Sequence, residues 1–167
     1  MNSPVALIIF NRPDHTREVF KRIAEIKPKQ LFIVADGPRD EEDERKCLAA
    51  RKVVERITWD CEVAKNYSEK NMGCKQRVAT GINWVFENVE QAIILEDDCV
   101  PHPDFFRFCD ELLIKYENDK RIMQINGSNF QLGCRYGDHS YYFWQMIDNP
   151  SNIFINPGLF KKVSVCK

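Results

Sequence analysis

The sequence predicts an α/β fold, a mostly parallel sheet with helices on both faces. Three observations point there. Short continuous apolar runs, VALIIF at 5–10 and AIIL at 92–95 foremost, fit strands buried on both sides. The segments between such runs carry apolar residues at helical spacing. Connections of this length allow right-handed crossovers, which make successive strands parallel.

Each element follows in order. Val5 to Phe10 is too short for a typical helix and reads as the first strand. Asn11-Arg12-Pro13-Asp14 supplies helix-start chemistry, and Val19, Phe20, Ile23, Ala24 and Ile26 continue at helical spacing. Leu31 to Ala35 is the second strand, closed by the turn residues Asp36-Gly37-Pro38. A charged segment from Asp40 leads into a helix carrying Leu48, Val53, Val54 and Ile57, and Cys61 to Asn66 reads as a third strand. Val78, Ile82, Val85, Phe86 and Val89 mark a helix over Lys75 to Val89, ahead of the strand Ala92 to Leu95. A further helix spans Asp104 to Tyr116, with Phe105, Phe106, Cys109, Leu112, Leu113 and Tyr116 inward, and Ile122 to Ile125 is another strand.

Composition excludes several classes. The 167 residues suit one domain with a sizeable core, and 44% hydrophobic with 29% charged is ordinary for a soluble globular protein. A net charge of -1 gives no global reason to expect nucleic acid or an acidic membrane as partner, so an anionic ligand must be handled locally. The amino terminus has no basic leader or small-residue cleavage site, and no apolar stretch approaches the ~20 residues of a membrane span. A cytoplasmic protein is the expectation. The seven cysteines form no CxxC pair, which favours free thiols over zinc, redox or disulfide frameworks. His15, His102 and His139 are isolated.

In an open parallel sheet, ligands bind beyond the carboxyl ends of the strands, near the point where strand order reverses. Those ends read Asn11-Arg12-Pro13, Asp36-Gly37-Pro38-Arg39 and Glu96-Asp97-Asp98, with the loop Asn71-Met72-Gly73-Cys74-Lys75 entering the longest helix. Singly, each is an ordinary cap, turn or solvated residue. Their coincidence at successive strand ends favours a site.

The acidic triplet is the sharpest signal. Carboxylates held close together repel, and lost solvation raises their pKa values, a strain that a cation relieves. Magnesium and manganese prefer oxygen ligands and combine one or two carboxylates with substrate phosphates. One unit-charge attraction at ~4 Å and an effective dielectric near ~20 is worth about 4 kcal/mol before desolvation. Alternation along an extended segment sends Glu96 and Asp98 to one side and Asp97 to the other, and Asp98 is the first choice for a metal ligand. A solvated turn, or a cap for the helix starting near Pro103, is the plain alternative.

Taken in sequence, VALIIFNRP, ADGPR, NMGCKQRVATGINWVFE and AIILEDDCVPHPDFF resemble the nucleotide-binding half of a GT-A glycosyltransferase. The likeness is to the family-2-like group and, more distantly, to the N-acetylglucosaminyltransferase I type. It covers residues 1–130 as a nucleotide-sugar-binding domain, and leaves 131–167 as a partial acceptor-side segment. Leu-Glu-Asp-Asp matches the DXD-like motif of that superfamily.

The resemblance implies specific roles. Phe10, Asn11 and Arg12 would lie against the base, and Asp36 would bind base or ribose. Lys75 and Arg77 would approach the nucleotide or diphosphate, Glu96 and Asp97 would reach ribose or sugar hydroxyls, and Asp98 would coordinate Mn²⁺ or Mg²⁺. It further implies a nucleoside diphosphate sugar donor, a uridine one in the first instance, and a glycan or lipid-linked acceptor. The general base is not identified; Asp138 and Asp148 are the acids available downstream.

The carboxyl end departs from the family, whose members continue into an acceptor lobe rich in tryptophan and glycine. Tyr141, Tyr142, Phe143 and Trp144 form an aromatic cluster suited to stacking on a sugar, to core packing, or to a subunit contact in a homo-oligomer. Two alternatives remain: a non-catalytic or truncated nucleotide-sugar-binding protein, and a sugar nucleotidyltransferase. The latter would be expected to carry a glycine-rich phosphate loop near its start, which FNRPDHT is not.

Overall fold

The computed structural model describes residues 1–119, 121–127, 141–144 and 151–155. The chain forms two compact units, Met1–Val100 and Pro101–Lys167. In the first, β1 (Val5–Ile9), β2 (Gln30–Ala35), β3 (Glu62–Tyr67) and β4 (Ile93–Glu96) alternate with α1 (Pro13–Ile26), α2 (Glu41–Val53) and α3 (Cys74–Asn88). All four strands are parallel, in the order β3-β2-β1-β4. This is a Rossmann-like α/β arrangement.

The apolar runs explain the sheet. Every residue of β1 is buried, as are Leu31 to Ala35 of β2, because both central strands are covered on both faces. On one face Ala6, Ile8, Phe32 and Val34 pack with Val85, and Val78 and Ile82 of α3 join them. The alternate residues Leu7, Ile9, Leu31 and Ile33 are as deeply buried and face the side of α1 and α2, which pack together. Gly81 sets how closely α3 approaches, since an added Cβ would come 2.5 Å from Cγ1 of Val34.

Two apolar residues of the helical segments face solvent. Leu48 is 49% exposed and Phe86 is 48% exposed, while Cys47 and Ala50 do the packing in α2. In each helix the apolar arc is narrower than a count of apolar residues suggests.

The chain runs from β1 to β2 to β3 in one direction, then returns to place β4 on the far side of β1. Strand order therefore reverses between β1 and β4. The crevice beyond the carboxyl ends of these two strands is where such sheets hold ligands.

The second unit holds α4 (Pro103–Tyr116) and a three-stranded sheet in the order β5-β7-β6, made of β5 (Ile122–Asn126), β6 (Tyr141–Trp144) and β7 (Ser151–Ile155). β5 pairs with β7 in parallel and β6 with β7 antiparallel. Pro103 occupies the first turn of α4, and His102 accepts a hydrogen bond from the Asp104 amide at 3.3 Å. Phe106, Phe108, Cys109 and Leu112 are its buried positions; Phe105, Leu113 and Tyr116 are only half-buried. The aromatic run at 141–144 is a strand, and Asp138 and Asp148 lie outside the described residues.

Cys47, Cys61, Cys74 and Cys109 are free thiols, but Cys99 is disulfide-bonded. The expectation of free thiols throughout fails there, because pairing depends on approach in space rather than on spacing along the chain. No helix among the described residues is long and apolar enough to cross a membrane.

Candidate functional site at the strand tips

At the reversal point, the residues after β1 meet those after β4. Arg12 donates from Nη2 to Asp97 Oδ1 at 2.6 Å and from Nη1 to Asp98 Oδ2 at 2.9 Å. The Phe10 amide donates to the second oxygen of Asp97 at 3.3 Å. One guanidinium thus bridges two adjacent carboxylates, and Asp97 ties the end of β1 to the end of β4.

This corrects the expected alternation of the triplet. The strand stops at Glu96, and the Cys99 amide closes a turn onto the Glu96 carbonyl at 3.1 Å. Asp97 and Asp98 lie in that turn, so both reach the same arginine. Asp97 is only 2% exposed, whereas the Asp98 side chain is 40% exposed. Of the pair, Asp98 is the one available to a ligand.

Burial dominates the electrostatics. Burial pushes the Asp97 carboxyl above the usual carboxylate range, against the opposing pull of Arg12 and the Phe10 amide. Glu96 is raised by burial first, then by Asp98 and Asp97. Partial burial works against the charge on Arg12, but its two carboxylate partners outweigh that, and its pKa is raised. Three carboxyl groups, Glu96, Asp97 and Asp98, thus lie close to the single guanidinium of Arg12.

Phe10, Asn11 and Arg39 form a neighbouring group. Asn11 donates to Asp43 Oδ1 at 2.5 Å, Arg39 is paired with both Asp43 oxygens, and the Arg39 guanidinium lies 5.3 Å from the centre of the Phe10 ring. Asp43 is buried in the first turn of α2, whose cap Asp40 accepts the Asp43 amide at 2.8 Å. Its hydrogen bonds from Arg39 and Asn11 hold its carboxyl well below the usual range. Sequence reading passed over Asp43. The signal was its phase, since Asp43, Cys47, Ala50 and Val54 fall on one helical face and all four are buried.

Asp36 is turned into the protein. Its Oδ1 accepts the Gly37 amide at 2.8 Å and the Met72 amide at 2.9 Å; its Oδ2 accepts the Gly73 amide at 3.1 Å and the Asn71 side-chain amide at 3.2 Å. Four donors fill the acceptor capacity of one carboxylate. Asp36 therefore shapes the Asn71–Gly73 loop. Gly37 permits the close approach behind it, as an added Cβ would lie 2.4 Å from the Lys70 carbonyl carbon.

The two cations of α3 separate. Arg77 is buried, donating to the Asn66 carbonyl at 2.5 Å and to Asn66 Oδ1 at 2.9 Å, and burial lowers its pKa. Lys75 is exposed in the first turn. Gly73, at φ 77, caps α3 without a side-chain hydrogen bond, which leaves the first amides of the helix to other partners. Lys75 stands beside them, while the Met72 and Gly73 amides just before the helix are taken by the Asp36 carboxylate.

No group of three or more His, Cys, Asp or Glu side chains converges to hold a metal among the described residues. A cation caged by protein alone does not fit this arrangement. A hard cation that takes Asp98 and completes its shell from phosphate oxygens and water does. The chain matches no protein-family model and no curated protein.

Proposed function

We propose that the first unit binds a nucleoside diphosphate sugar, a uridine one in the first instance, and that the protein is a metal-dependent glycosyltransferase of the GT-A type. The observation carrying this reading is the Arg12–Asp97–Asp98 cluster at the reversal of strand order, with Asp98 exposed beside it.

Residue roles follow from position. Phe10, flanked by the Arg39 guanidinium, offers an aromatic face to a base, and Asn11 and Arg12 border it. Lys75 and the uncapped start of α3 suit a diphosphate. Asp36 and Arg77 act by positioning, one through the Asn71–Gly73 loop and the other through Asn66. Asp98 would hold Mn²⁺ or Mg²⁺, with the Glu96 and Asp97 carboxyls beside it.

When bound, the cation would stabilise charge developing on the departing diphosphate. The remaining catalytic demand is orientation of the donor, which the strand-tip residues supply. The acceptor is proposed to be a glycan or lipid-linked hydroxyl, on the strength of the sequence resemblance.

Calorimetric titration of the chain with UDP, with and without Mn²⁺, tests the reading. Metal-dependent binding that disappears in Asp98→Ala, with an unchanged melting temperature, supports it. Equal UDP binding by Asp98→Ala and the parent in Mn²⁺ refutes the assigned metal position. Hydrolysis of a UDP-sugar on adding Mn²⁺ distinguishes an enzyme from a binding protein.

A further inference from the structure

Between α1 and α2 lies a groove of about 400 Å³, lined by Arg17, Phe20, Lys21, Ala49, Lys52, Val53 and Arg56. It shares no residue with the strand-tip cluster. Its floor is apolar, and its rim carries four cations and no acid.

That concentration of charge stands out in a chain whose net charge is -1. Among the described residues only Arg17 of the four is ion-paired, to Asp14 at 2.6 Å, and that pair is exposed. Lys21, Lys52 and Arg56 are exposed and make no ion pair there. The nearby Glu55 is engaged with Lys65 at 3.9 Å rather than with the rim. Leu48, one turn before Lys52 and 49% exposed, extends the apolar surface beyond the floor.

We infer that this groove docks an acidic amphipathic helix of a protein partner. Charge complementarity selects the occupant. Cations flanking an apolar trough match a helix whose apolar i, i+3/i+4 and i+7 side chains enter the trough while flanking carboxylates meet the rim. The walls are helices of 14 and 13 residues, about 20 Å long at 1.5 Å per residue, which is the length of three to four turns of a partner. A recessed floor between two helices is out of reach of a flat anionic bilayer, whose headgroups would touch only the rim.

The test uses fluorescence anisotropy on the whole chain. The probe is a fluorescein-labelled peptide of about 18 residues, with leucine at the groove-facing positions and glutamate beside them. A second peptide replaces each glutamate by lysine, and phosphatidylglycerol vesicles serve as the lipid comparison. The acidic peptide should bind, the lysine peptide should not, and added salt should weaken binding. Lys21→Glu/Lys52→Glu, at exposed positions, should weaken it about tenfold or more by turning two attractions into repulsions. Ala49→Trp should also weaken it by filling the floor. Circular dichroism melting confirms that each variant is folded. Failure of the acidic peptide to bind, equal binding by the lysine peptide, undiminished binding by a folded charge-reversal variant, or binding to vesicles alone would each overturn the inference.

Discussion

Replacing Asp36 by alanine separates a residue that shapes the site from one that touches ligand. The Gly37 amide is buried, so losing its acceptor leaves an unpaired donor away from water, costing about 2 kcal/mol. The Met72 and Gly73 amides are only partly buried and regain water in part, costing about 1 kcal/mol each. The Asn71 side chain also donates to the Gly37 carbonyl at 2.9 Å, and its loss of Asp36 is close to neutral. The expected destabilisation is about 4 kcal/mol, large against the margin of a typical domain. Asp36→Asn keeps one acceptor oxygen but turns an NH₂ toward two donors, and should cost about half as much.

Urea denaturation followed by tryptophan fluorescence reads the total. At a slope of about 2 kcal/mol/M the alanine variant should unfold about 2 M earlier. Hydrogen exchange reads the mechanism, because the Met72 and Gly73 amides should lose protection before the core strands do. An alanine variant as stable as the parent, with those amides still protected, refutes the structural role of Asp36 in the Asn71–Gly73 loop. If that stable variant also lost UDP affinity, the carboxylate would be a ligand contact.

Two further outcomes follow from the same region. Glu96 has a raised pKa in the folded chain, so the native state holds more protons than the unfolded one above the ordinary value of 4.5, and stability falls as pH rises through that window. Glu96→Gln removes this loss: without added cation, the variant should melt higher than the parent at pH 7, and the gap should close as pH drops toward 4.5. A constant gap in thermal melts across that range would exclude Glu96 as its source. Gly37→Ala forces a Cβ to within 2.4 Å of the Lys70 backbone, so it should destabilise by about 2 kcal/mol or more and loosen the Met72 and Gly73 amides. Retained exchange protection in that variant would show that the chain relieves the clash elsewhere.

The architecture was readable because its cause is local. Central strands in a covered parallel sheet must be apolar on both faces, so VALII and LFIVA announce themselves without a partner in view. Helix starts were equally plain where proline or a capping acid marks them, as at Pro13, Asp40 and Pro103. β7 was missed because its SNIFI run has only a weak strand pattern and its definition comes from pairing with β5 and β6.

The site was harder to read because its geometry depends on where strands stop. Asp97 and Asp98 were sent to opposite sides by an alternation that ends one residue earlier, at Glu96. Arg12 then gathers both across a separation of 85 residues or more, which no local pattern encodes. Asp43 shows the opposite case, in which the information was present but looked ordinary. EEDE at a helix start suits the helix dipole and reads as solvated surface. Counting back from Cys47 and Ala50 puts Asp43 alone of the four on the buried face, where an acid requires partners. Asn11 and Arg39 are those partners, one from the end of β1 and one from the end of β2. An acid in phase with a buried helical face therefore predicts that neighbouring strand tips will supply its donors, and here that links Asn11 to Arg39 through a residue of α2.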